Sequence, residues 1–563
     1  MSSIKRWQLH PQQSDLCNKI SAELSVDPVI SQLLLNRGIS SLRKASIFLD
    51  KSDSGQRFVF AESDHQRCSD IVYQAIADQR PILLYGDYDV DGMTSVSIML
   101  MALESCGAKV QFYIPDRFRE GYGLQASVLQ AIKDQGIGLL ITLDCGVSNV
   151  KEISAIKSET PCQVLVFDHH QLPDPVAPAD GMLNPCTLPD DDPATGLCTA
   201  GIAYAFICDF FQRYFSHLDP SPYLDLVALG TVADVAPLHG LNRSWTHHGL
   251  RLLGQRKRLG ISALLEAAKF KGDTVSARDV GFTLAPRLNA AGRLASASLG
   301  VRLLIATSED VATQLAFQLE TLNLQRRDIG AKMVDEALEL QSDDKRPSNV
   351  TILSNPNWHA GVIGITASRL VEHFSKPAIL VSGSGPLGRG SARTVGSVNV
   401  YALLRSCRDH FLSFGGHKQA AGFTVSWDQI DAFKSSLIEK ASAIDPLDLQ
   451  AIIDVDAELT PKQLTLDLAK QLSTLEPFGV GNQAPLFFCD GLKALALRPV
   501  GNGQHIKATL STLDEGLVID AIGFNLAEKL AYFNKTPLRM VFRLTVNHWQ
   551  GRSLPQLEIV DLK

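Results

Sequence analysis

Between residues 81 and 170 the chain repeats one pattern: a short apolar run, then a stretch long enough for an amphipathic helix. PILLYG (81–86) passes through DYDVDG into MTSVSIMLMALESCG (93–107). KVQFYIP (109–115) is followed by LQASVLQAIKDQG (124–136), LLITLDCG (139–146) by SNVKEISAIKS (148–158), and QVLVFDHH (163–170) closes the series. Short apolar runs bounded by polar residues read as buried strands. Strands alternating with helices imply parallel βαβ units with helices on both faces of the sheet. The acidic residues fall just past the strands: Asp87, Asp89 and Asp91 after the first, Asp144 after the run 139–143, and Asp168, His169 and His170 after the run 163–167. Ligands of open α/β sheets bind beyond the carboxyl ends of the strands. Distant polar side chains are therefore expected to meet in one crevice.

At about 150 residues per domain, 563 residues suggest three or four domains. A mostly helical region covers 1–70, where LLLNRG (33–38) and SLRKASIFLD (41–50) read as two short helices around a turn. The α/β region covers 71–244, and a helical connector covers 245–345, in which 311–340 reads as one long helix bridging two lobes. A second α/β region spans 346–447. The tail, 448–563, carries five strand-like runs separated by turn signals, the pattern of a small β-barrel of the OB type.

Several carboxylates in one crevice repel each other, so either their pKa values rise or cations neutralise them. Carboxylates with imidazole suit Mn²⁺ or Mg²⁺, and a pair of ions roughly 4 Å apart can clamp a phosphate and activate water. DYDVDG matches the opening of an EF-hand loop, but the twelfth position, which needs Glu, is Ile98. No Walker A motif is present. GSGPLG (383–388) runs into RGSARTVG and opens no helix, so no nucleotide cofactor is expected. Residues 243–302 hold eleven Lys/Arg against three acidic residues, in a chain of net charge −7. Such a block reads as an electrostatic footprint for phosphates or as a solvated helical face. No segment offers about 20 uncharged apolar residues, so no membrane span is expected. The ten cysteines form no C-x-x-C pair, which argues against a zinc site and a disulfide scaffold and for a reducing cytoplasm.

Asp168-His169-His170, with YGDYDVDGMTS (85–95), TLDCG (142–146) and LGTVADVAPL (229–238), resembles the DHH phosphoesterase family. GRGSARTVGSVNVYALL (388–404) and FGGHKQAAGF (414–423) resemble the family's associated substrate-binding domain. RFREGYGL (117–124), APRLNAAGRL (285–294) and LEPFGVGNQAPLF (475–487) resemble segments of its single-strand-specific exonucleases. The resemblance implies a parallel-sheet catalytic domain and a smaller α/β domain joined by a helical linker, followed by an OB-fold barrel. It implies Asp89, Asp91, Asp144, His169 and Asp234 as metal ligands, with Asp87 a weaker candidate and Asp91 or Asp144 bridging two ions. His170 would act as acid or electrostatic stabiliser. Some members carry a ligand histidine at the position of Tyr85.

The implied activity is metal-dependent 5′-to-3′ hydrolysis of single-stranded DNA to 5′-mononucleotides in repair and recombination. The strand would thread between the catalytic and associated lobes. Arg117, Arg119, Arg287, Asn289 and Arg293 would contact it, Phe118 and Tyr122 are candidates for stacking bases, and Phe524 and Trp549 would add a contact from the barrel. Arg389, Ser391, Arg393, Gly415, Gly416 and His417 would face a terminal phosphate. Implied partners are a single-strand binding protein and a RecQ-type helicase, for a monomeric enzyme. Two other readings are open: a phosphoesterase for short oligonucleotides or cyclic dinucleotides, and a non-catalytic single-strand-binding scaffold.

Overall fold

The computed structural model describes residues 5–50, 62–121, 123–343, 348–383, 385–514, 516–549 and 551–563. It divides into two compact units. One comprises Asp15–Asn323 with Gln471–Ala484, and the other Met1–Ser14, Leu324–Lys470 and Pro485–Lys563.

In the first unit the apolar runs form five parallel strands: β1 (Ile82–Gly86), β2 (Val110–Tyr113), β3 (Leu139–Leu143), β4 (Gln163–Phe167) and β5 (Gly181–Leu183). Their spatial order is β2-β1-β3-β4-β5. Alternate strand residues feed separate cores, which is why the runs are continuously apolar rather than alternating. Leu84, Ile141, Leu165 and Phe167 join a cluster with Met93, Val96, Ala203, Phe206 and Leu229. Leu83, Tyr85, Leu140 and Val166 pack instead with Val128, Ile132, Ile153 and Ile156. The strand order reverses between β1 and β3, so their following loops leave toward opposite faces and open a crevice between them.

Gln471–Ala484 packs into this unit through polar contacts. Arg243 donates to the carbonyls of Phe48 and Leu475 (3.2 and 2.8 Å), with its guanidinium 3.7 Å above the Phe48 ring. Asn482 donates to the carbonyls of Leu475 and Pro477. The long helix predicted over 311–340 is found as Glu309–Asp343.

The second unit holds two sheets of its own. β6 (Thr351–Ser354), β7 (Ala378–Ser382), β8 (Leu387–Arg393), β9 (Phe411–Gly416) and β10 (Ala420–Ser426) lie in the order β9-β10-β8-β7-β6. β11 (Ala457–Glu458), β12 (Phe487–Val500), β13 (His505–Thr512), β14 (Val518–Gly523), β15 (Leu538–Trp549) and β16 (Arg552–Leu562) lie in the order β11-β12-β13-β14-β16-β15. β12 also pairs antiparallel with β15, which closes the sheet into the expected barrel. The N-terminal strand Arg6–Leu9 pairs parallel with Ile452–Val455. No helix among the described residues is long and apolar enough to cross a membrane.

Candidate active site

The acidic residues enter the crevice because each follows a strand by one residue and is held by its neighbour strand. Asp87 N donates to the carbonyl of Leu143, Asp144 N to that of Phe167, and Asp168 N to that of Leu183. Asp144 takes a left-handed φ of 68°, which turns the chain sharply at the edge of the sheet. Asp89 caps helix Val90–Ser105, its Oδ1 accepting from Asp91 N and Gly92 N at 2.9 and 3.2 Å. That cap fixes Asp91 in the first turn, aimed inward. Gly92 is required there, because a Cβ would stand 2.4 Å from the Asp87 carbonyl oxygen. Asp234 arrives by tertiary packing at the end of helix Leu224–Ala233. That helix approaches closely at Gly230, where a Cβ would meet Thr94, Ala200 and Asp91 at 2.6–3.0 Å.

The resulting cavity of about 350 Å³ is lined by the two acidic loops, His169, His170 and Asp234, with Tyr88, Arg117, Asn289, Gly292 and Arg293 on its other walls. His169 Nε2 stands 3.2 Å from Asp144 Oδ1 and 4.0 Å from Asp91 Oδ2, and its Nδ1 stands 3.9 Å from Asp234 Oδ2. Three sets have donor atoms within 4.8 Å of one another: Asp87, Asp89 and Asp144; Asp91, His169 and Asp234; and Asp144, His169 and His170. Asp87 Oδ1 is buried with no hydrogen-bond partner. An orphaned carboxylate oxygen beside two further carboxylates fits a hard divalent cation, and the imidazole tips the donor set toward Mn²⁺ or Mg²⁺. Tyr85 belongs to the opposite core and donates its hydroxyl to the Gly123 carbonyl at 3.0 Å, so the first set is completed by Asp87 rather than by that position.

Electrostatics agree with cations as the missing charge. Burial, and then the neighbouring carboxylates, hold Asp144 and Asp87 well above the usual carboxylate range. Asp234 is pushed up to about 8 by burial, Asp91 and Asp89. Asp168 behaves oppositely. Burial opposes its charge, but its Oδ1 accepts a 2.7 Å bond from His170 Nδ1, and the amides of His170 and Val147 add to it, so it is held below the usual range. His170 is correspondingly raised: burial works against its proton, and Asp168 outweighs burial.

The sequence reading missed three contacts. Thr199 N and Ala200 N, opening helix Thr199–Tyr214, donate to Asp91 Oδ2 and Oδ1 at 2.7 and 2.9 Å, and Thr199 Oγ1 donates to Asp144 Oδ1 at 3.2 Å. A threonine among small residues at the start of an apolar helix was the available signal.

The basic stretch needs correction. Arg243 is buried on backbone carbonyls, and burial with Arg37 nearby lowers it to about 9. Arg258 forms a two-point pair with Asp225 at 2.6 and 2.9 Å. Arg287, assigned to the DNA backbone, is buried instead, paired with Glu320 and donating to the Thr283 carbonyl. Arg119 lines a separate cavity with Tyr113, Ser298 and Arg302. Phe118 is half-buried. Tyr122 and the side chain of Trp549 lie outside the described residues.

In the other unit Arg389, Ser391 and Arg393 alternate along β8 with buried Gly388, Gly390 and Ala392. A Cβ on Gly390 would overlap the Phe423 ring at 2.1 Å. Gly415 and Gly416 on β9 pair with Gly422 and Ala421, and exposed His417 follows. Ser391 and Arg393 stand against Gly364 in the first turn of helix Ile363–Phe374, a place suited to an anion.

Known proteins resemble this chain along its whole length. The DHH family N-terminal domain model matches residues 81–231, the DHHA1 domain model 348–443 and the RecJ OB domain model 455–561. The Bacillus subtilis single-stranded-DNA-specific exonuclease RecJ is 33% identical over 570 residues, covering 100% of this chain and 71% of that protein. The Escherichia coli protein of the same name is 33% identical and matches over 98% of both chains. The chain belongs to the RecJ family. A solved Thermus thermophilus RecJ in complex with Mn²⁺ matches this RecJ-family chain with a TM-score of 0.84 and 28% identity, over 99% of this chain and 79% of that one.

Proposed function

We propose that this chain is a divalent-metal-dependent exonuclease that hydrolyses single-stranded DNA from its 5′ end to 5′-mononucleotides, in DNA repair and recombination. The observation that carries the reading is the meeting of Asp87, Asp89, Asp144, His169 and Asp234 around one cavity with arginines on its wall, with buried Asp91 in donor reach of His169 and Asp234, in a chain whose relatives are named single-stranded-DNA-specific exonucleases.

Asp87, Asp89 and Asp144 would hold one Mn²⁺ or Mg²⁺. Asp91, His169 and Asp234 would hold a second, and Asp144, in the first set and 3.2 Å from His169, would be in reach of either. Such ions neutralise the carboxylates, polarise a phosphodiester and lower the pKa of water. The side chains do the rest. Arg117 and Arg293 offer charge-assisted contacts to the strand's phosphates, and Asn289 lines the same cavity. Asp168, 2.7 Å from His170 Nδ1, favours the proton on His170 against burial. With Nδ1 engaged there, Nε2 presents the proton to the departing 3′-oxygen. In the other unit, the β8 arginines with Ser391, Gly415, Gly416 and His417 would hold a terminal 5′-phosphate. Single-strand binding protein and a RecQ-type helicase are proposed as partners through the shared substrate. Ten cysteines, all free, support a reducing, cytoplasmic setting.

The test is digestion of single-stranded DNA, labelled at either end, with Mn²⁺, Mg²⁺ or EDTA. The expected result is early release of the 5′ label as mononucleotide, abolished by EDTA. Digestion that survives EDTA, begins at the 3′ end or stops at substrates of a few nucleotides would overturn the reading.

A further inference from the structure

A phenylalanine has much apolar area to hide, and leaving it in water forgoes a large hydrophobic gain. Phe282 is 80% exposed, more than any other large hydrophobic side chain among the described residues. It is not on a loose segment. It sits in a π-helical turn, Val280–Leu284, whose end residues Val280 and Leu284 are buried in the main core. Arg287 clamps this turn, donating to the Thr283 carbonyl while pairing with Glu320. Turns of this kind are rare and concentrate at functional sites.

The turn feeds helix Ala285–Leu294, whose Asn289, Gly292 and Arg293 line the metal cavity. Residues seven and eleven positions apart return to one side of a helix. The wider π winding shifts that alignment by only a fraction of a turn. Phe282 therefore shares a stripe with Asn289 and Arg293, about 10 and 16 Å back along the axis at 1.5 Å per residue. The surface beside it is open: a Cβ on Gly281 would meet nothing within 4 Å. Four residues before the ring stands Arg278, exposed and in no ion pair among the described residues.

We propose that Arg278 and Phe282 form a subsite for single-stranded DNA a few nucleotides beyond the cavity. The ring stacks on one base and the guanidinium takes an adjoining phosphate. This rests on the exonuclease reading and extends it. A bare ring demands a free base face, which a paired and stacked duplex does not offer. It accepts every base, because each has a π-face. The subsite would thus favour single strands without sequence preference.

The experiment compares wild type, Phe282→Ala and Phe282→Trp in Mn²⁺ on a long single strand, on a trinucleotide, and on long strands with one abasic site stepped from the 5′ end. Phe282→Ala is expected to lower kcat/KM on the long strand about 5- to 150-fold, the cost of one base stack. Phe282→Trp should restore it and the trinucleotide should be cut equally by all three. One abasic register should slow wild type by the same factor yet leave Phe282→Ala no slower. That non-additivity cannot come from a merely structural role. If wild type does not digest the strand, the exonuclease reading falls. If it does and Phe282→Ala keeps pace with it, or loses equally on the trinucleotide, the subsite alone is overturned.

Discussion

Replacing Asp91 with alanine removes a carboxylate that is proposed to hold an ion and that also seats a helix. The side chain is buried, and its two oxygens take the Thr199 and Ala200 amides at 2.7 and 2.9 Å, at the start of helix Thr199–Tyr214. Alanine leaves two buried N–H groups unpaired, at about 1–3 kcal/mol each, and removes a charge that complements the helix dipole, worth about 0.3–1 kcal/mol. One effect opposes this. Burial holds Asp91 above the usual carboxylate range; His169 relieves that and Asp89 adds to it, so removal eases crowding in the ion-free protein. The two amides outweigh the relief, and Asp91→Ala should cost about 2–4 kcal/mol in EDTA. Asp144→Asn should do the reverse. It removes a charge disfavoured by burial and by Asp91, Asp89 and Asp87 while keeping an oxygen for the Thr199 hydroxyl, so the ion-free protein gains about 1 kcal/mol. Both variants should lose hydrolysis in Mn²⁺. Urea unfolding in EDTA, followed by tryptophan fluorescence and far-ultraviolet circular dichroism, measures both. An Asp91→Ala protein as stable as wild type, or a destabilised Asp144→Asn, would refute this division of roles.

Other outcomes follow from the same contacts. Asp234 ionises near 4 when unfolded and at about 8 when folded. Folding therefore takes up a proton between those values, and stability in EDTA should fall as pH rises from about 4 to 8; the unfolding midpoint with and without Mn²⁺ should show the ion stabilising most at the alkaline end. Gly292→Ala would set a Cβ 2.4 Å from the Tyr88 carbonyl oxygen, and backbone cannot swing aside. The helix must shift, carrying Asn289 and Arg293 with it, at about 1–3 kcal/mol; kcat/KM should fall at least about tenfold. Arg287→Ala should cost about 3 kcal/mol or more by leaving Glu320 unpaired, without changing the salt dependence of DNA binding. Arg293→Ala should lower that salt slope by about one, as titrations between 50 and 200 mM salt would show.

Chain pattern and spatial arrangement contributed different things to the site. Asp87, Asp144 and Asp168 were legible because a parallel strand ends at the same edge of its sheet as its neighbours, so the next polar residue is delivered there whatever its distance in sequence. Arg287 was misread, and the burial of Arg243 went unseen, for the complementary reason. A charge count records how many guanidinium groups a stretch carries and is blind to which ones the fold buries. The Arg278–Phe282 stripe was hidden too, since nothing local distinguishes an apolar residue bound for the core from one left in water.

Strand-helix alternation and turn chemistry, both set by local sterics and apolar periodicity, thus determined the α/β sheet, the barrel and the identity of the carboxylate cluster. Tertiary packing alone decided that the amides of helix Thr199–Tyr214 would seat Asp91 and which cations face water. Those outcomes depend on close approaches of distant segments at Gly92, Gly230 and Gly292. Such approaches arise only when the whole core is packed.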